Sequence, residues 1–427
     1  MAKKSVNRRG FLKLAAAGTC SSIIPTVTPG LLQCAMAQAA GSGKMLCVIE
    51  LGGGANTFNI IPTFGGQHHD NNQGVSVAPN NPNILPINSE IYMHPALGNI
   101  HRNIMNGDGV IINGVGFPNH SRSHDVAQLS WKTGDLVNFM NSDGLGNRLS
   151  CQFPSAYSVI SVSGNSDFVD GGCPNARAVN GLASLTRNTW RESSRDQFSK
   201  QAADTLKSLS GRGIGPQEAF VRNSQQRAND AAEQLETIRN TPLLDQNGAT
   251  INFPNGLGSR LRDIARFFSA RSLLGTAIAF ASQGGYDTHG DEGPRLQSLL
   301  TELDGAIGAF ERACKGLGIW QDVTVMIVSE FARTAVKNDA NGNDHGMTMK
   351  YMMVGGGVNG TTGGRVIAPA PTEAELLPAN LRGGRIYDVL HVDQRNIWEQ
   401  ALNHIAGGNA GLFSSQNFDR TFLNLFR

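Results

Sequence analysis

Two short stretches carry residue types that do chemistry together. In VSEFARTAVKNDANGNDHG (residues 328–346), Glu330 follows the apolar and β-branched run VTVMIVS, and Asp344 and His345 lie in the Gly/Asn-rich loop beyond it. In YDTHGDE (residues 286–292), Asp287 and His289 sit on a glycine-flanked loop. Carboxylate plus imidazole suits zinc or manganese, whereas carboxylates alone suit magnesium or calcium. The plainer alternative is that Asp287 caps a helix beginning near Asp291, Glu330 is a paired structural acid and NDHG is a turn.

A third stretch, HSRSHDVAQLSWKTG (residues 120–134), runs from a polar loop into a helix. It puts Ser121 or Ser123 near the helix N-terminus, where free amides and the positive dipole end stabilise an attacking alkoxide or a bound anion. Arg122 is suited to pair with oxyanion charge. Serine is also the preferred N-cap residue, so capping competes with nucleophilic attack as the role of either hydroxyl.

Elements must hold these groups in position. Short apolar runs at 44–51, 109–116, 275–282, 322–329 and 351–357 read as buried strands. Leu296, Leu299, Leu300, Leu303, Ile307, Phe310, Cys314 and Leu317 recur at three- and four-residue spacing, the pattern of an amphipathic helix. Further helices are expected near 125–133 and 393–407. Alternation of this kind predicts an α/β fold, a mostly parallel central sheet with helices on both faces. Residues from about 183 to 270 break the rhythm with a polar, Gln- and Arg-rich stretch that includes a long helical segment at 216–240, read as a helical insertion. Gly52–Asn56, Asn119–His124, Tyr286–His289 and Glu330 all follow a strand's carboxyl end, the edge where open α/β sheets bind ligands.

The chain has 427 residues, 40% hydrophobic and 16% charged, with a formal net charge of +2. That is enough apolar material for a large core, and the near-neutral balance gives no reason to expect nucleic acid or an acidic membrane surface as partner. At the N-terminus, NRRGFLK (residues 7–13) sets Arg8-Arg9 before a mildly apolar stretch broken by Gly18, Pro25, Pro29 and Gly30, and AMAQAA (35–40) offers small residues for cleavage. These features read as a twin-arginine signal spanning residues 1–39, cut near Ala37 or Ala39. Gln33 is too large for the position before a lipidated Cys34. The mature chain, 40–427, is expected to be one domain without stable membrane insertion, periplasmic or secreted after passage through the twin-arginine translocase. Cys47 and Cys314 are expected as buried thiols; Cys151 and Cys173 lie in loop-like sequence and are free to pair in an oxidising compartment.

The order LGGGANTFNIIP, YMHPALGNI, HSRSHDVAQLSWKTG, GYDTHGDE, VSEFARTAVKNDANGNDHG and VDQRNIW resembles the exported proteins of the domain-of-unknown-function family 1501. That family is similar in turn to the alkaline phosphatase and sulfatase superfamily. The resemblance implies an alkaline phosphatase-like fold, a Ser, Thr or formylglycine nucleophile at a helix start, and one or two divalent ions (Zn, Mn, Ca or Mg) on loops of the sheet edge. Residue by residue it implies Asp287, His289, Glu330 and His345 as ligands, with Asp344 either a ligand or a partner of the late imidazole. Ser123 is implied as nucleophile, with Ser121 second and Arg122 and His124 in the same catalytic stretch. The loop that supplies an acid in the family carries Asn56 and Asn59 here, so Asn56 could offer only a neutral carbonyl oxygen. The expected function is an exported metal-dependent hydrolase of phosphate or sulfate esters, acting on a small anionic or glycan substrate. The alternative is a non-catalytic periplasmic metal- or glycan-binding protein that keeps the fold.

The export reading is tested at Arg8 and Arg9. Their joint replacement by Lys leaves uncleaved precursor in the cytoplasm; mature protein in the periplasm of that variant would refute it.

Overall fold

The computed structural model describes residues 42–118, 120–185 and 230–427. The expected export signal with Arg8 and Arg9, Asn119, and the part of the expected insertion from 186 to 229 lie outside the described residues.

Among the described residues nine strands form one sheet: β1 (Met45–Leu51), β2 (Gly109–Gly116), β3 (Val159–Ser161), β4 (Ala176–Ala178), β5 (Ile278–Gln283), β6 (Val323–Val328), β7 (Met349–Val354), β8 (Arg365–Ile367) and β9 (Val392–Asp393). Their order is β8-β2-β7-β6-β1-β5-β3-β4, with β9 on the end of β2. Every pairing is parallel except those of β7, which runs antiparallel to both β2 and β6. β1 is central because all seven of its residues are buried, so it needs cover on both faces. The fifth expected strand therefore exists as β7, in the opposite direction to its neighbours. β5 starts at Ile278 rather than 275 because Gly275, at φ 67°, ends the preceding helical turn in the left-handed region.

Helices cover both faces. On one, Cys47, Ile49 and Leu51 meet α1 (Gly98–Met105), α3 (Leu257–Ser269) and α4 (Glu292–Gly316) through Ile104, Ile264, Ile307 and Phe310. On the other, Leu46 and Val48 meet α2 (His124–Thr133) and α5 (Gln394–Ala406) through the stacked indoles of Trp131 and Trp398, 5.7 Å apart. Helix α3 lies within the stretch read as an insertion, yet Leu261, Ile264, Phe267 and Phe268 are fully buried against the sheet and α4. Residues 230–240 are also helical. Cys47 and Cys314 are buried free thiols, and Cys151 pairs with Cys173. Among the described residues no helix is long and apolar enough to cross a membrane.

All strands but β7 present their carboxyl ends to one edge, and the exit loops there pack backbone on backbone. Gly53 has φ 115°, and a Cβ on it would lie 2.4 Å from the amide nitrogen of Asp287. Gly53→Ala should therefore destabilise the fold by about 1–3 kcal/mol. Gly284→Ala in the neighbouring exit loop, where a Cβ meets nothing within 4 Å, should leave it unchanged. Thermal denaturation of the two variants compares them directly.

Candidate metal centre

Three side chains converge on one point, His124, Asp287 and His345, and a fourth, His289, stands beside them. Asp287 and His289 come from the loop after β5, His124 from the first turn of α2, and His345 from the loop between β6 and β7. Asp287 Oδ1 lies 3.1 Å from His289 Nε2, 3.5 Å from His124 Nε2 and 3.7 Å from His345 Nε2. The two Nε2 atoms of His289 and His345 are 3.0 Å apart. Ligand atoms of His124, Asp287 and His345 all fall within 4.8 Å of one another.

The far side of each ring decides what its Nε2 carries. His124 Nδ1 contacts the Glu330 carboxylate at 2.8 Å, His289 Nδ1 contacts Asp344 Oδ1 at 3.0 Å, and His345 Nδ1 contacts the backbone carbonyl of Arg122 at 2.7 Å. Each partner is an acceptor only, so each Nδ1 must be the donor. In the neutral tautomer every Nε2 is then a bare lone pair. The lone pairs of His289 and His345 face each other at 3.0 Å, that of His289 also taking the Arg333 Nη1 hydrogen at 3.3 Å, and His124 Nε2 is buried with no hydrogen-bond partner. Converging lone pairs repel unless a cation sits between them, and carboxylates or carbonyls behind the rings are how metal-bound histidines are held. Three imidazoles and one carboxylate therefore fit a dication that accepts nitrogen ligands.

Glu330, Asp344 and Asn56, expected among the ligands, are not in the converging set. Glu330 is fully buried; its Oε1 accepts from Gly53 N–H at 2.9 Å, His124 and Gln128, and its Oε2 from the Ser329 hydroxyl. Burial raises its pKa, but these donors, His124 first, outweigh that and hold it below the ordinary carboxylate value. The same hydrogen bond raises the pKa of His124 while no cation competes for the ring. Asp344 orients His289 rather than its neighbour His345, and its second oxygen pairs with Arg385 at 2.9 Å. Asn56 is turned away: its amide donates to Glu292 Oε1 at 2.7 Å, and its carbonyl caps the helical turn Thr57–Ile60. Asn59 donates to the same Glu292 oxygen at 2.8 Å. Nor does Asp287 cap α4; the residue at that N-terminus is Asp291, with no side-chain cap bond.

Ser123 occupies the N-cap position of α2, but its side chain makes no capping hydrogen bond, and it is exposed beside His124. Ser121 Oγ accepts the amide of Ser123 at 3.1 Å and so serves the turn. The Arg122 side chain is exposed.

Arg333, in the segment EFART, is a site residue that the sequence pattern did not single out. Its guanidinium is fully buried and every arm is used: Nε donates to Gly54 O at 2.6 Å, Nη1 to Asn343 O at 3.1 Å and to His289 Nε2 at 3.3 Å, and Nη2 to Gly53 O and, at 2.5 Å, to Asp287 Oδ1. Burial would raise the pKa of Asp287, but the Arg333 contact pulls it below the usual value. Phe331 forms the floor, its ring 4.8 Å from those of both His124 and His345. Gly54 makes room for it, since a Cβ there would sit 2.3 Å from the Phe331 ring. His124 was expected as a catalytic group, and only the fold shows it facing Asp287.

Three carboxylates (Asp287, Glu330, Asp344) against two guanidiniums (Arg333, Arg385) leave this cluster one net negative charge. A dication reverses that sign, so the loaded site attracts an anion.

Residues 152–372 match the family described as "Protein of unknown function (DUF1501)". No curated protein matches the chain. Solved structures to which the chain shows similarity include the PsFucS1 sulfatase from Pseudoalteromonas sp., at 12% identity and TM-score 0.35, covering 82% of this chain and 69% of that one. A protein in the alkaline phosphatase superfamily from Vibrio parahaemolyticus has 11% identity and TM-score 0.35, covering 88% and 74%. The lipoteichoic acid synthase LtaP from Listeria monocytogenes has 9% identity and TM-score 0.35, covering 93% and 81%.

Elemental analysis should give one dication per chain, lost in His124→Ala and in His345→Ala. With it goes roughly 2.7 kcal/mol of stabilisation when free metal is about 100 times Kd. Asn56→Asp should add no second ion; it sets a carboxylate against buried Glu292 and should cost on the order of 3 kcal/mol. Full metal content in both histidine variants would remove the site.

Proposed function

This chain belongs to the DUF1501 family of proteins of unknown function, and on that premise we propose that it is an exported metal-dependent hydrolase of phosphate or sulfate esters. The observation that carries the reading is the convergence of the His124 and His345 imidazoles and Asp287 Oδ1, with His289 Nε2 3.0 Å from His345 Nε2, immediately beside an uncapped helix N-terminus bearing a serine hydroxyl. His124, Asp287, His289 and His345 would hold the cation. Three nitrogen donors favour zinc or a similar transition-metal dication over calcium and magnesium, which prefer oxygen. Such an ion supplies Lewis acidity and a lowered pKa for an oxygen bound to it.

The remaining work falls to the chain's own groups. Arg122, whose backbone carbonyl already fixes His345, would bring its exposed guanidinium onto the non-bridging oxygens of the ester. The free amides of the first turn of α2 point at the same anion. Ser123 would attack phosphorus or sulfur: its Oγ bond forms, the bond to the ester oxygen breaks, and the proton lost by the serine hydroxyl ends on the departing alkoxide, which leaves as the alcohol. Water then cleaves the seryl ester, restoring the hydroxyl and releasing inorganic phosphate or sulfate. Arg333 would hold Asp287 and the Gly53–Gly54 backbone in register without touching substrate.

Hydrolysis of an activated aryl phosphate or aryl sulfate by the metal-loaded protein should fall at least about 100-fold in Ser123→Ala with metal content unchanged, the scale of losing a nucleophile. Arg122→Ala should raise KM more than it lowers kcat. Undiminished turnover in Ser123→Ala would sink the serine mechanism.

A further inference from the structure

Two turns along α2 from His124, a cavity of about 450 Å³ lies at the carboxyl ends of β1, β5 and β3. Its size falls within the roughly 300–1,000 Å³ of small-molecule sites. Glu50 from β1 and Lys132 from α2 line it, joined Nζ to Oε1 at 2.9 Å, and each is only 5% exposed. Glu50 is the one charged residue of β1, and Lys132 Nζ also reaches Gln128 Oε1 at 3.3 Å. A buried ion pair adds little or no stability over apolar side chains of the same size. The pair is better understood by what it offers the cavity, a carboxylate that accepts O–H donors next to an ammonium that donates to oxygen.

The other walls fit one kind of ligand. Ser163 Oγ accepts from the Ser282 amide and keeps its own hydrogen to donate, Gln128, whose oxygen accepts from Lys132, keeps one amide hydrogen, and Phe280 supplies an apolar surface. Glu50, Asp167 and Asp170 against Lys132 and Arg177 leave the cavity slightly negative, which disfavours an anion. Paired donors and acceptors beside an apolar wall suit a ring of hydroxyls with a C–H face. The wall itself is held in place: Cys173 is tied to Cys151, and the Asn147 side chain bonds the backbone of Val169 and Cys173. Gln128 also donates to Glu330 at 3.3 Å, so the helix that carries His124 forms one wall of the cavity. Eight residues of helix separate His124 from Lys132, roughly 12 Å.

We propose that this cavity is a binding site for one neutral sugar unit, with Glu50 and Lys132 engaging neighbouring hydroxyls. The proposal stands on the cavity alone and survives failure of the hydrolase reading. The probes are the methyl glycosides of glucose, galactose and mannose, titrated into the full mature chain by saturation-transfer NMR and calorimetry. At least one should bind with one site per chain. Asp167→Ala, at the half-exposed rim, should weaken it about tenfold, the value of a hydrogen bond to a charged group. Glu50→Gln with Lys132→Gln, which keeps two amides able to bond each other, should weaken it further. If that double variant does not fold, Asp167→Ala alone decides. No binding of any of the three glycosides to the wild-type chain overturns the proposal, and so does undiminished binding in Asp167→Ala.

Discussion

The candidate site depends on one contact, the hydrogen bond between buried Glu330 and His124 Nδ1. A carboxylate at the end of a fully buried strand is costly unless donors surround it. Here the donors are supplied by other elements: Gly53 from the exit of β1, His124 and Gln128 from α2, and Ser329 from its own strand end. Satisfying the charge therefore pulls two further segments onto the tip of β6. The same bond puts the proton on His124 Nδ1 and turns Nε2, unpartnered, toward Asp287. Stability and site geometry come from one interaction.

Arg333 does for the other loops what Glu330 does for α2. A guanidinium has five donors in a rigid fork, and this one spans Gly53, Gly54, Asn343 and Asp287 while remaining fully buried. Its charge would weaken a cation beside it, yet it draws Asp287 close and keeps that carboxylate ionised. The result is a division of labour. Nitrogen atoms face inward, and most of the acids stand behind them, Glu330 behind His124 and Asp344 behind His289. The amides in the first exit loop belong to a separate buried network around Glu292, which takes Asn56, Asn59 and Thr288 as donors.

Much of this was legible beforehand. Runs such as KMLCVIEL and DVTVMIVS are strands because an apolar run too short for a buried helix has few other homes. The three- and four-residue spacing from Leu296 to Cys314 describes α4 because only that period keeps one face apolar. The clustering of polar loops at strand ends located the edge at which Asp287, His289 and His345 meet. Less legible was α3, whose Arg- and Ser-bearing sequence resembled its polar surroundings although Leu261, Ile264 and Phe268 give it a buried face.

By itself, then, the sequence determined the elements, the edge and the inventory of side chains able to act there, because those follow from local periodicity and residue type. It could not assign roles among them. Glu330 and Asp344 looked like ligands and His124 like a catalytic group, since a carboxylate or imidazole reads alike whichever way it faces. Facing is decided by partners distant in the chain: Glu330 lies 206 residues from His124, and the Arg122 carbonyl 223 from His345. Only when the sheet brings those loops to one edge does each acceptor take an Nδ1 proton, and only then is each Nε2 left to point at its neighbours.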